Sequence, residues 1–230
     1  SKTFRPSDVP QHIKKKIPPG YPNTCTSNIL SGTLPPRRGL KKVGNMVESL
    51  RDKTRDELAY NLNSLGVKAE MAERGRPEDK IDNSWWQRSL GVIDIPEGPV
   101  RWINILKKDR SKDSPPRWWV IFCIPDERPI SKLQAVKIST ARKKTFPLFG
   151  KVVDVKWKGK DCNTGLIDTI SNDEAVKDLA QAIGNMQIRS YAKEFQGWIL
   201  VVDRKIKLTN QDWSTIQKMA DYMLSSSRIY

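Results

Sequence analysis

The composition of the chain breaks at Gly44, and that break limits what can fold. Residues 1–44 hold seven of the fifteen prolines, with nine Lys or Arg against a single acid, Asp8. Few large apolar side chains accompany them, so the segment cannot bury enough surface to offset its ordering entropy. That predicts a disordered or extended arm. The folded domain is then expected over residues 45–230, which hold all eight tryptophans and four of the five tyrosines. Of the formal net charge of +15 on the 230 residues, +8 sits on the arm. A charge of this size and sign predicts an anionic partner, nucleic acid or a membrane surface, and says nothing about fold.

Several classes are disfavoured. The single histidine, His12, and three widely spaced cysteines, Cys25, Cys123 and Cys162, do not supply the clustered ligands of a zinc site. An odd, sparse cysteine count argues for a reducing compartment rather than a disulfide-built secreted module. No apolar run reaches the ~18 residues of a membrane-spanning helix, so a soluble or peripheral protein is expected. There is no phosphate-cradling glycine loop, GxSxG elbow or Cys/His pairing, so the expectation is a non-enzymatic protein without metal or cofactor.

Periodicity predicts the elements. Asn45-x-x-Glu48 reads as a cap for a helix running to Leu65, with Val47, Leu50, Leu58 and Leu62 at helical spacing and Gly66 as its stop. Residues 67–84 read as a short strand and a turn around Arg74–Pro77, then a short helix into Trp85-Trp86. Strands are expected at Val100–Leu106, Trp118–Ile124 and Val152–Lys158, the first two joined by a mobile loop, Lys107–Arg117. In the third, Val153, Val155 and Trp157 alternate with Asp154, Lys156 and Lys158, the pattern of a half-buried antiparallel strand. Ser171-x-x-Glu174 predicts a capped helix closed by Gly184. Met186–Lys193 and Trp198–Asp203 flank a hairpin turn, and Thr209-x-x-Asp212 caps a last helix with Trp213, Ile216, Ala220 and Met223 inward. Mixed strands and helices without βαβ regularity predict an α+β fold, one domain of antiparallel strands and flanking helices behind the basic, proline-rich arm.

Four motifs bear on function. Pro18-Pro19-Gly20-Tyr21 fits PPxY, the ligand of WW domains: a pre-extended polyproline segment docks at little entropic cost, and Pro18, Pro19 and Tyr21 fill aromatic pockets. Such a short pattern also arises by chance. Lys14, Lys15 and Lys16 with Arg37, Arg38, Lys41 and Lys42 bracket it. They suit an anionic leaflet or RNA phosphates equally, or serve only to keep the chain in solution. Asp126 with Asp154 and Lys156 matches the acid/acid/lysine pattern of a large Mg²⁺-dependent nuclease superfamily, although Asp154 and Lys156 also read as solvent-face residues of an alternating strand. The Trp85-Trp86 and Trp118-Trp119 pairs read first as core, with one ring of each pair turned outward on a strand.

With its basic arm, early PPxY motif and element order, the chain resembles the matrix proteins of rhabdoviruses. The likeness runs through Trp85-Trp86-Gln-Arg-Ser-Leu-Gly91, Pro99–Leu106, Phe122–Pro129 and Phe146–Lys156, then the helix Asp173–Ile183 and the hairpin ending Gly197-Trp-Ile-Leu200. It departs from the family in a helix over residues 204–230. The resemblance implies a non-enzymatic structural protein of the virion, lying beneath the envelope and linking the nucleocapsid and its RNA to the membrane. It implies self-association into a homo-oligomer or polymer, and budding through recruitment of a host WW-domain ubiquitin ligase. It places the protein in the host cytoplasm, on the inner face of host membranes, with the nucleus as a further location. The competing reading is a structural RNA-binding protein, associated with a ribosome or nucleocapsid, whose arm threads between phosphates.

Overall fold

The structure is a computed structural model that describes residues 52–129, 135–145 and 152–226, all within the unit Leu50–Tyr230. Its elements run α1 (Thr54–Ser64), β1 (Glu70–Met71), a 3-10 turn (Pro77–Lys80), β2 (Arg88–Asp94), β3 (Trp102–Lys108) and β4 (Arg117–Pro125). They continue with β5 (Lys137–Lys144), β6 (Val152–Lys160), α2 (Leu166–Ser171), α3 (Glu174–Ala182), β7 (Met186–Ala192), β8 (Gln196–Val202) and α4 (Asn210–Ser225). The eight strands form one sheet in the order β1-β2-β3-β4-β8-β7-β5-β6. Every pairing is antiparallel. The fold is α+β, as the element pattern predicts.

Alternation decides which residues face which layer. Ile103, Ile105, Val120, Phe122, Trp198, Leu200, Ile188 and Trp157 point to one face, where Leu58 and Leu62 of α1, Ile170 of α2, Leu179 of α3 and Ile216 and Met223 of α4 complete the main core. The opposite face carries a smaller cluster built on Leu106, Ile121, Cys123, Tyr191, Ile199 and Val201. Among the described residues no helix longer than the 3-10 turn lies over this second face. Ile81, just after that turn, is fully buried on it. Asn104 holds the segment down by donating to the Ile81 carbonyl at 3.0 Å, and the Asp82 N–H donates to the Tyr191 hydroxyl at 3.1 Å.

The closing hairpin and last helix follow their sequence signals. Thr209 and Asp212 form a reciprocal capping box on α4. Ile216, Ala220 and Met223 are buried, with Trp213 packed beside them. Gly197 opens β8 at φ 153°, where a Cβ would stand 2.2 Å from the Ile124 carbonyl oxygen of β4. Only glycine permits that approach.

Other expectations are corrected. The helix expected from Asn45 begins, within the described residues, at Thr54 with Lys53 at its cap position, and Asp52 accepts from the Thr54 N–H at 3.0 Å. Asn45, Val47 and Leu50 lie outside the described residues. Ser171 is the last residue of α2 and caps nothing. Asp173 caps α3 instead, accepting from the Ala175 and Val176 N–H groups at 3.0 and 3.4 Å. The physical reason is the added turn at Leu166–Ser171, which buries Leu166 and Ile170 and gives Ser171 helical geometry that a cap residue lacks. Strands β2 and β5 are additional to the expected ones. The connection expected at Lys107–Arg117 is shorter, and a bridge between Ser111 and Ser114 closes it.

Candidate anion-binding surface

The arm residues singled out for binding, Lys14, Lys15, Lys16, Pro18, Pro19, Tyr21, Arg37, Arg38, Lys41 and Lys42, lie outside the described residues. What the structure places is the remaining basic surface, the acid/acid/lysine trio and the tryptophan pairs.

The trio does not converge. Asp126 follows β4 and Asp154 lies in β6, four strand positions away in the sheet. At about 4.8 Å per strand the lateral separation is roughly 19 Å, too far to share a metal ion. Asp126 is buried and already engaged. Arg128 donates to it from Nε at 2.9 Å and from a terminal nitrogen at 2.7 Å, and Trp198 Nε1 donates at 2.9 Å. Arg128 also donates to the Ser226 and Met223 carbonyls at 2.9 and 3.2 Å. This carboxylate ties the end of α4 to the sheet. Lys156 and Lys158 are exposed on the alternating strand, as the pattern predicts.

Charge that the fold does not use collects on the β5–β6 hairpin. Register puts Lys137 opposite Lys160, Ser139 opposite Lys158, Ala141 opposite Lys156 and Lys143 opposite Asp154. Directly paired residues share a face, so these lysines rise together from the second, helix-free face of the sheet. Lys156, Lys158 and Lys160 recur every second residue, about 6.8 Å apart along the strand. All of these lysines are exposed. Among the described residues Lys137, Lys143, Lys156 and Lys158 make no ion pair. Arg189, on the same face of β7, is by contrast committed to Asp82. Exposed lysines clustered on an edge hairpin attract polyanions and discourage edge-to-edge strand pairing.

A second basic region lies at the end of the sheet where β3 finishes, β4 starts and β8 finishes. A groove of about 590 Å³ is lined there by Arg117, Trp118, Trp119, Arg204 and Lys205, with Asp203 as its one acid. Lys205 Nζ lies 4.4 Å from the Trp118 ring centre and Lys107 Nζ 5.3 Å from it. Trp118 Nε1 donates to Asp52 at 3.2 Å. Burial alone would raise the Asp52 carboxyl, but hydrogen bonds from Lys107, Thr54 and Trp118 outweigh it and hold the group well below the usual carboxylate range. Burial, with the Arg204 guanidinium next in strength, presses Arg142 below its ordinary value. Positive charge is crowded at this end.

The tryptophan pairs differ from expectation. Trp118 and Trp119 are both half-buried on opposite faces of β4. Trp85 and Trp86 sit in a turn, not a strand, at 95% and 42% exposure. The sequence reading did not single out the lysine ladder. Its signal was present in the alternate-residue lysines of β6, but β5, which completes the face, has one large aliphatic side chain, Ile138, in eight residues.

No family model matches the chain, and neither a curated protein nor a solved structure matches it. Among the described residues no helix is long and apolar enough to cross a membrane, and no cluster of three His, Cys, Asp or Glu is placed to hold a metal.

Proposed function

We propose that this chain is a structural protein of the viral matrix type, holding an anionic membrane surface and a ribonucleoprotein together and associating with itself. The observation that carries the reading is the exposed lysine cluster on the helix-free face of β5 and β6, in which Lys137, Lys143, Lys156 and Lys158 make no ion pair among the described residues. It gives the folded domain an anion-binding surface of its own, in addition to Lys14–Lys16, Arg37, Arg38, Lys41 and Lys42 of the arm. Two basic surfaces on one chain suit a protein that must touch two polyanions at once. In this reading Pro18, Pro19 and Tyr21 recruit a host WW-domain ubiquitin ligase for particle release. The site's work is electrostatic adhesion, with no covalent step.

The competing reading, a structural RNA-binding protein, uses the same lysines and differs in its partner. Binding of the full-length chain to anionic vesicles and to single-stranded RNA at matched salt separates them. Flotation with phosphatidylserine-containing vesicles, weakening as salt rises, is the expected result. Tight RNA binding without flotation at any salt overturns the matrix reading in favour of the RNA-binding one.

A further inference from the structure

Trp85 is the most exposed large apolar side chain among the described residues, and the turn that carries it is tightly built. The Gln87 N–H donates to the Ser84 carbonyl at 2.9 Å, and the Ser84 N–H donates to Gln87 Oε1 at 3.1 Å. The neighbouring Trp86 ring stands edge-on to Trp119 at 5.5 Å between centroids, with Lys108 Nζ 5.6 Å from the Trp86 ring centre. Before the turn, Asp82 is tied to Tyr191 and Arg189. After it, Arg88 pairs with Asp109 at 2.8 Å. Trp86 therefore anchors the turn while Trp85 projects from it. An indole held in water on a pinned turn is a cost the fold itself does not recover.

Its setting indicates what recovers that cost. Lys108 pairs with Arg117 across β3 and β4, and Val120 pairs with Val202 across β4 and β8. Lys108 and Arg117 share the face of Trp119, so the Trp85 turn stands on the same face as these two cations, whereas Lys205 stacks on Trp118 on the opposite face. A single projecting indole on the face that carries Lys108 and Arg117 matches the two layers of an anionic bilayer surface. The cations meet the headgroups, and the amphipathic ring sits at the boundary beneath them. A protein pocket calls for a wider apolar surround than one projecting ring supplies.

We infer that Trp85 inserts at the interface of an anionic lipid surface and that Lys108 and Arg117, on the same face, lie against its headgroups. The inference rests on the membrane-binding reading given above, and deepens it by naming the residue that enters the lipid.

The test uses the full-length chain and phosphatidylcholine vesicles containing one-third phosphatidylserine, comparing wild type with Trp85→Ala and Trp85→Phe. Flotation of Trp85→Ala should fall roughly tenfold, an effect of lost apolar burial. The loss should be the same factor at low and high salt, because the indole's part is not screened. Thermal unfolding should be unchanged. Brominated acyl chains should quench wild-type fluorescence more than that of Trp85→Phe, and the difference reports Trp85 alone. Equal flotation of wild type and Trp85→Ala, or no quenching difference, overturns the inference and leaves the membrane reading standing. Absence of wild-type flotation at any salt overturns both. Unchanged flotation together with loss of RNA binding in Trp85→Ala would make the ring a base-stacking platform instead.

Discussion

The two faces of the sheet use charge in opposite ways. On the helix-covered face, polar side chains are few and each closes a joint of the fold: Asp126 joins β4, β8 and the end of α4 through Trp198 and Arg128. On the open face of the β5–β6 hairpin, lysines outnumber acids, and Lys137, Lys143, Lys156 and Lys158 make no ion pair among the described residues. The same strands supply both faces, since Val155 and Trp157 point into the core between Asp154, Lys156 and Lys158. Charge on the first face is structural, and removing it should unfold. Charge on the β5–β6 part of the second face repels itself, and removing it should change only what the protein binds.

The largest effect that could break this contrast is at Arg128. The Asp126 side chain is 4% exposed and accepts two charge-assisted bonds from the guanidinium. Arg128→Ala takes the guanidinium away from that buried carboxylate and removes the donor to the Met223 and Ser226 carbonyls. A loss of about 3–5 kcal/mol in urea unfolding is expected. A loss below about 1 kcal/mol would mean that the covered face does not depend on this joint.

A smaller effect is expected at Asp173, on the same side of the sheet. Its carboxylate caps α3 and accepts from Lys218 Nζ at 2.5 Å and the Tyr222 hydroxyl at 2.7 Å, both on α4. The Lys218 and Tyr222 donors outweigh burial and hold the group down at about 2. A carboxyl lowered in the folded state adds stability that is fully present above its unfolded value of about 3.9 and is lost as pH falls through the folded one. Wild type should therefore weaken between about pH 4 and pH 2, and Asp173→Asn should show a flatter profile there. At neutral pH the variant should lose about 1 kcal/mol, as for a weakened cap. Parallel profiles for the two proteins would remove Asp173 from the acid response.

How far each face was legible in the sequence follows from the same division. The covered face was readable where apolar periodicity and caps coincide: Thr209 with Asp212, Ile216 with Met223, and Val155 with Trp157 all fall where the pattern puts them. It failed where tertiary pairing overrides local pattern. Strand β5, Lys-Ile-Ser-Thr-Ala-Arg-Lys-Lys, offers one large aliphatic side chain and forms because β6 and β7 pair on both sides of it. Strand β2 is interrupted at Gly91 by a register shift that breaks period-two alternation. The cap at Asp173 was hidden because the short helix α2 precedes it and takes up Ser171. The open face was half legible. Lys156 and Lys158 read as solvent-facing, but their joining with Lys137 and Lys143 into one surface required the β5–β6 register.

The smallest effect on stability, and the sharpest separation of the two faces, is expected from neutralising the ladder. The triple change Lys137→Gln, Lys156→Gln, Lys158→Gln keeps side-chain length and removes three like charges from paired strands. Lys137 faces Lys160 directly, and like charges opposed across a strand pair are destabilising, so losing one relieves strain in the pairing. Surface changes away from caps and buried groups usually stay within about 0.5 kcal/mol, and here the sign should be neutral or slightly stabilising. Binding should respond in the other direction. At about 1 kcal/mol per cation near an anionic leaflet, three lysines correspond to roughly a hundredfold in vesicle affinity at low salt, shrinking as salt screens the contact. Flotation with anionic vesicles, read beside urea unfolding of the same preparation, separates the two quantities. If the triple variant unfolds by more than about 1 kcal/mol more easily, the open face is structural after all. If it remains stable and its vesicle affinity is unchanged, the β5–β6 lysines are not the contact surface, and adhesion falls to the arm and to the Trp85 end of the sheet.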